Sequence, residues 1–347
     1  MKKINVAILF GGHSSEYSVS LLSATSVIEN INQEKYEPIL IGITNEGNFK
    51  LYTGPIENIE NDTWNQEKYT KKITFSTNRE DHGIIIQGKN EKRKIDIVFP
   101  VLHGRNGEDG RLQGLLELAA IPYVGCDSIS SAICMDKYKA HELVRLAGIP
   151  VPNSYIFNKY TSKEDILTKI SDLNYPIFVK PLKAGSSYGI TKVTKKEMLS
   201  AAIDLAFKYD DTLIIEEGID GFEVGCAILG NNELTIGEVD EIELQDGFFD
   251  FTEKYNLITS KIILPARLSD SERKKVQETA LKIYRILGCS GFARVDMFYT
   301  KEGEIYFNEV NTIPGFTSHS RYPSMLKEIG FSFSDIIDKL IELGLNR

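Results

Sequence analysis

From residue 5 onward, apolar runs of strand length alternate with amphipathic stretches of helical period, and the pattern holds for the first 130 or so residues. Such alternation confines the chain to layered α/β architectures, because each strand must cover its faces and each helix its apolar stripe. NVAILF (5–10) reads as a buried strand broken by Gly11 and Gly12. Ser14 or Ser15 then caps a helix whose apolar face is Ala24, Val27, Ile28 and Ile31. PILIGIT (38–44) and IDIVFPVLHG (95–104) predict further strands. Between them, residues 55–94 are polar and rich in Asn, Glu and Lys, and read as a surface insertion holding a hairpin or two.

After Gly125 the pattern changes. Residues 130–148 predict one helix stopped by Gly148 and Pro150. A strand, VPNSYIF, and a helix from Ser162 follow, then two strands around the lysine- and glycine-rich turn of residues 175–193, a helix over 195–209 and a strand over 212–219. The remainder carries the strands FEVGCAILG, LTIGEVDEI, GFARVDMFY and EIYFNEVNT, a long helix over 270–287 and a terminal amphipathic helix. The expected organisation is three domains, 1–128, 129–218 and 219–347, the first α/β and the others α+β.

At 347 residues the chain is long enough to bury sizeable cores without disulfides or a structural metal. Forty Lys and Arg against 49 Asp and Glu leave a net charge of −9, a poor default for nucleic acid or an anionic membrane, though a local basic cleft for a phosphorylated ligand is compatible with it. Cys126, Cys134, Cys226 and Cys289 show no metal-ligand spacing and read as buried thiols. The apolar run at the N-terminus is too short for a signal core or a membrane span. The expectation is a soluble, cytoplasmic protein with no nucleic-acid or membrane partner.

Three segments carry chemistry. FGGHSSEYSVS (10–20) places a glycine turn before a helix start, an anion cradle in which Glu16 either complements the helix dipole or holds a ligand; it lacks the GxGxxG of dinucleotide sites. KPLKAGSSYGI (180–190) offers Gly185, Ser186 and Ser187 amides with Lys180 and Lys183, suited to polyphosphate. RVDMFY followed by FNEVNTIPG places Asp296, Glu309 and Asn311 in apolar strands. If those strands pair, the three form a hard oxygen cluster fit for Mg²⁺ shared with nucleotide phosphates. FFDFTEKYN (248–256), rich in aromatic residues, reads as a lid over such a site.

Together GGHSSEYSVS, HGRNGEDGRLQG, YVGCDSISSAICMDK, KPLKAGSSYGI, GFARVDMFY and NEVNTIPGFTSHS resemble the D-alanine–D-alanine ligases, in order and across essentially the whole chain. The resemblance implies an ATP-grasp fold preceded by a Rossmann-like α/β domain, ATP and two Mg²⁺ (or Mn²⁺) as cofactors, and a homodimer. It implies an acyl-phosphate mechanism in which Glu16 and His103 contact the first D-alanine. Lys137, Lys180, Ser186, Ser187 and Lys254 would meet the ATP phosphates, and Glu216, Glu217 and Glu223 the adenine and ribose. Asp296, Glu309 and Asn311 would carry the metals, and Arg294 and the Gly315 amide would form the oxyanion hole. Ser187 and Tyr255 would join Glu16 among the catalytic groups, with Ser320 and Arg321 at the second substrate.

Lys254-Tyr255 resembles the peptide-forming members rather than the D-lactate ligases. Arg321 stands where the usual ligases carry leucine, and FDFTEKY replaces the common YDYEAKY. Both features resemble the D-alanine–D-serine ligases of vancomycin resistance, the VanG type most closely, so the expected product is D-alanyl-D-serine for modified peptidoglycan precursors. The alternatives are a housekeeping D-alanine–D-alanine ligase, with Arg321 facing solvent or a lid carboxylate, and a non-catalytic ATP-grasp sensor.

Overall fold

The computed structural model of the chain describes residues 2–88, 91–185, 188–244 and 260–347. The described strands form three sheets, and the first is built around β1 (Ile4–Gly11). Six of its eight residues are buried, as a strand covered on both faces must be. Helix α1 (Tyr17–Asn30) returns the chain to β2 (Tyr36–Ile43), parallel to β1. Then β3 (Phe49–Tyr52) turns back antiparallel, and α2 (Glu57–Glu60) follows. The polar insertion holds β4 (Thr70–Phe75), β5 (Gly83–Ile86) and β6 (Glu91–Lys94), an antiparallel meander that extends the first sheet. Trp64 anchors it: fully buried, it meets Phe10 and Tyr52 edge-on. The last strand, β7 (Ile97–Pro100), pairs with β1 on its other side and is shorter than the expected 95–104. Helix α3 (Arg111–Leu118) follows.

The single helix expected over 130–148 is two, α4 (Ser128–Met135) and α5 (Lys137–Leu146). Asp136 is extended, and its carboxylate accepts the Lys139 amide, so a local cap outcompetes helix continuation and leaves Lys137 as the first residue of α5. A four-stranded antiparallel sheet follows, in the order β10-β9-β11-β8. It comprises β8 (Ser154–Asn158), β9 (Ile177–Pro181), β10 (Thr191–Val193) and β11 (Thr212–Glu217), with α6 (Lys163–Lys169) and α7 (Leu199–Ala206) over one face. Its core joins Phe157, Ile166, Val179, Ala202, Ile203 and Leu213 and draws only on this segment.

The third sheet runs β14-β13-β12-β15-β16. Its strands are β12 (Gly221–Gly230), β13 (Leu234–Leu244), β14 (Ser260–Ile263), β15 (Phe292–Thr300) and β16 (Ile305–Asn311). Helix α8 (Asp270–Ile286) starts at a reciprocal capping box of Ser269 and Glu272 and covers one face with Val276, Ala280 and Ile283. Helices α4 and α5 lie against β16. On the other face α9 (Arg321–Lys327) and α10 (Phe333–Leu345) pack Tyr322, Met325, Ile336 and Leu340 into one core with Val6, Ile8 and Phe10 of β1. The four cysteines are free and buried, with Cys134 and Cys289 sulfurs 3.7 Å apart. Among the described residues no helix is long and apolar enough to cross a membrane.

Candidate active site

A cavity of about 510 Å³ opens between the four-stranded and five-stranded sheets. Lys137, Lys180, Lys192, Glu216, Glu217, Glu223 and Glu309 line it together with Phe178, Phe222 and Phe298. Lys180 on β9 and Glu216 on β11 form a buried ion pair, since Lys180 stands opposite Ile214 in the register and Glu216 lies two residues on along the same face. Glu216 keeps Oε2 buried without a hydrogen-bond partner among the described residues, so an acceptor is left for a ligand donor. Glu217 differs, because its carboxylate accepts the Asn174 amide (2.8 Å) and the Asn153 side chain (2.9 Å), which ties two loops together. Lys137 donates to the Ala184 carbonyl (2.8 Å) and lies 4.0 Å from Glu309.

β15 and β16 pair directly, Arg294 facing Asn311 and Asp296 facing Glu309, with an irregularity after Asp296. Arg294 holds Asp296 through two parallel hydrogen bonds of 2.7 Å, and Asn311 Nδ2 donates to Asp296 Oδ2 at 2.8 Å. Among the described residues no three His, Cys, Asp or Glu side chains form a closed metal cage. Two carboxylates and an amide beside two lysines instead form a partial oxygen set. That set fits Mg²⁺, a cation that takes one or two protein carboxylates and completes its shell with phosphate and water.

Glu16 sits at the N-cap of α1 without using its side chain as a cap, and the Ser14 hydroxyl accepts its amide (3.2 Å), so neither Ser14 nor Ser15 is the cap residue. Gly104 faces the Glu16 carboxylate so closely that any Cβ there would collide with it. His103 is buried with both ring nitrogens engaged. Nδ1 donates to the Ile313 carbonyl (2.9 Å), and Nε2 accepts from the Ser23 hydroxyl (3.0 Å). Burial drives the His103 pKa from 6.5 down to about 4, against the pull of the Ile313 carbonyl. Between those values the unfolded chain binds a proton that the folded one refuses, so this group's contribution is intact above pH 6.5 and is lost as pH falls toward 4. The full loss is on the order of 3 kcal/mol. Urea denaturation across that range is expected to show a steeper decline for the native protein than for His103→Asn; equal slopes would show that His103 titrates normally. Glu108 bridges two loops, with Oε2 accepting the Gly104 amide (2.7 Å) and Oε1 the Ile313 amide (2.8 Å). Burial, then the Glu16 charge, lift its pKa well above the carboxylate range, opposed by those two amides.

A second cavity, of about 550 Å³, is lined by Asp240, Lys261, His319, Arg321 and Ser324. Arg321 does not turn to solvent. It is 7% exposed and donates Nε and Nη2 to the two oxygens of Asp240 (2.7 and 2.8 Å) and Nη1 to Glu223 (2.8 Å). Asp240 is fully buried and also accepts the Gly225 amide (3.0 Å); a side chain at Gly225 would strike both Arg321 and Asp240. Glu223 therefore touches both cavities, one directly and one through Arg321. Ser320 accepts the Thr317 amide (2.9 Å) beside Gly315.

Ser186, Ser187, Lys254 and Tyr255 lie outside the described residues. Glu108 and Asp240 were not foreseen. Asp240 lies in a strand that also carries Glu238, Glu241 and Glu243, so nothing in its local pattern singled it out, and Glu108 in its glycine-flanked turn carried no signal either.

Two family models match the chain, one described as D-ala D-ala ligase N-terminus over residues 5–126 and one as D-ala D-ala ligase C-terminus over residues 143–342. The vancomycin C-type resistance protein VanC1 of Enterococcus gallinarum is 48% identical over 347 residues, covering 99% of this chain and 98% of that protein. A D-alanine–D-alanine ligase of Caldicellulosiruptor bescii is 46% identical over 354 residues, covering 100% of this chain and 96% of that one. Among solved structures, the VanG D-Ala:D-Ser ligase from Enterococcus faecalis matches with a TM-score of 0.91 and 56% identity over 99% of both chains. Resistance proteins and D-alanine–D-alanine ligases thus lie at similar identity.

Proposed function

The chain belongs to the D-alanine–D-alanine ligase family, and from that premise we propose that it joins D-alanine to D-serine through a D-alanyl phosphate. It is an ATP-dependent ligase of the ATP-grasp fold. The first D-alanine carboxylate attacks the γ-phosphorus of ATP, ADP leaves, and the acyl phosphate forms. Lys137 and Lys180, both facing the nucleotide cavity, neutralise charge on the phosphates as it shifts toward ADP. Asp296, Glu309 and Asn311 would hold two Mg²⁺, which when bound supply Lewis-acid neutralisation of the polyphosphate. Glu16 takes the ammonium of the first D-alanine. Glu216 Oε2, the unpartnered acceptor, takes an amino hydrogen of the adenine.

The amine of the second substrate then attacks the acyl carbon, and the tetrahedral intermediate collapses with loss of phosphate. Arg294 and the Gly315 amide meet the oxyanion, and because Asp296 fixes the guanidinium in advance, little reorganisation is left for the reaction itself.

D-Serine as acceptor rests on Arg321. Three of its five N–H groups are held by Asp240 and Glu223 and Nη2 also faces Asp296 (3.6 Å), so the cation is rigid in the wall of the second cavity with the remaining Nη1 N–H for a hydroxyl. A site built to bond a hydroxyl rejects the partner lacking it far better than shape alone does. Similarity to the VanG D-Ala:D-Ser ligase supports the same acceptor. ATP-dependent phosphate release, with D-alanine fixed as donor and the acceptor varied, is expected to give the higher kcat/KM with D-serine, the dipeptide identified by mass. A higher value with D-alanine would make the enzyme a D-alanine–D-alanine ligase and remove the hydroxyl role from Arg321.

A further inference from the structure

The turn that carries Gly315 is not held by its own strand alone. Ile313, two residues before it, has its carbonyl bound by His103 Nδ1 (2.9 Å) and its amide bound by Glu108 Oε1 (2.8 Å). On the far side of Gly315, the Phe316 amide donates to the Ser23 hydroxyl (3.4 Å), the same hydroxyl that holds the second nitrogen of His103. Every one of these partners belongs to the first 110 residues. Glu108 spans the gap with both carboxyl oxygens, one on the loop beside Glu16 and the other on the turn. Two hydrogen bonds to one buried carboxyl group fix a direction as well as a distance.

We propose that Glu108 is a positioning residue for the Gly315 amide, locking the turn of the second sheet-bearing half to the loop that flanks the first substrate; the inference rests on the reading of Gly315 as an oxyanion donor. Its action is on the second chemical step. A displacement of about 1 Å at a reacting group costs roughly 10²-fold in rate, and a glutamine at 108 presents one acceptor oxygen and an NH₂ that repels the other amide.

The test compares the native enzyme with Glu108→Gln and Glu108→Asp, the aspartate being too short to reach both amides. Each variant is expected to lose about 10²-fold in kcat. A phosphinic dipeptide analogue, tetrahedral at the position of the reacting carbon, should lose affinity by a similar factor, while a non-hydrolysable ATP analogue binds within about twofold of native. A merely structural role would weaken both ligands alike, and that result, or an unchanged kcat, overturns the proposal. Arg294→Lys separates the underlying reading: if it leaves phosphinate affinity intact, the oxyanion site itself is misassigned. If it weakens the phosphinate while both Glu108 variants do not, the clamp alone is wrong.

Discussion

Arg321→Leu is expected to destabilise the folded protein by about 3–5 kcal/mol, the range for removing one partner of a buried ion pair, and to shift acceptor preference toward D-alanine. The cost arises from what the arginine leaves behind. Asp240 is fully buried and Glu223 is close by, and without the guanidinium each loses its cation. The leucine side chain supplies apolar volume but no donor, so a desolvated carboxylate is left in the second cavity. Arg321→Leu combined with Asp240→Asn removes that charge and is expected to recover most of the stability while keeping the altered preference. Urea denaturation reads the first effect and the ratio of kcat/KM for D-serine and D-alanine the second. A single variant as stable as the native enzyme would contradict the ion pair, and an unchanged ratio would contradict the role of Arg321 in choosing the acceptor.

Glu309→Gln is the second large effect. Glu309 faces Asp296 across the hairpin, lines the nucleotide cavity and stands 4.0 Å from Lys137. Glutamine keeps the length and one oxygen but removes the negative charge that a hard divalent cation needs. Lewis-acid neutralisation is worth several kcal/mol, so kcat is expected to fall by about 10²–10³-fold, with more Mg²⁺ required for half-maximal rate. The Lys180–Glu216 pair is untouched by this change, so nucleotide affinity measured without metal should hold near native. A kcat within a few-fold of native at equal Mg²⁺ would dismiss Glu309 as a metal ligand.

Local patterns carried the reading of strands and of the hairpin that brings Asp296 and Glu309 together. The carboxylates of Asp296 and Glu309 were anomalous in apolar strands, and such strands pair so that the anomalies meet. The strands on either side of the lysine-rich turn pair antiparallel as β9 and β10, as the apolar run before it suggested. The break at Asp136 was not legible, since a side chain capping its own backbone leaves the hydrophobic period of the surrounding helices intact. The insertion after residue 55 looked peripheral because its charge is exposed, while the side chains that secure it, Trp64 with Ile73, Phe75, Ile84 and Ile86, are spread through polar sequence. The partners that matter most to the site are long-range. Arg321 finds Asp240 across 81 residues and Glu108 finds Ile313 across 205, separations at which periodicity is silent. Asp240 was also masked locally, because its strand carries three other carboxylates (Glu238, Glu241 and Glu243) and no single one stands out as Asp296 does.

The private core of the four-stranded sheet has a bearing on the nucleotide cavity. Apolar contact fuses the first sheet to α9 and α10, so the two ends of the chain share one core that also takes in Ile313 and Phe316 on either side of the Gly315 turn. The four-stranded unit shares no such seam with it among the described residues and supplies one wall of the nucleotide cavity. The wall that the four-stranded sheet lends to the nucleotide cavity is therefore packed on a core of its own. Substitutions within that private core are thus expected to reach the nucleotide wall before they reach the Gly315 turn, whose packing lies with the first sheet.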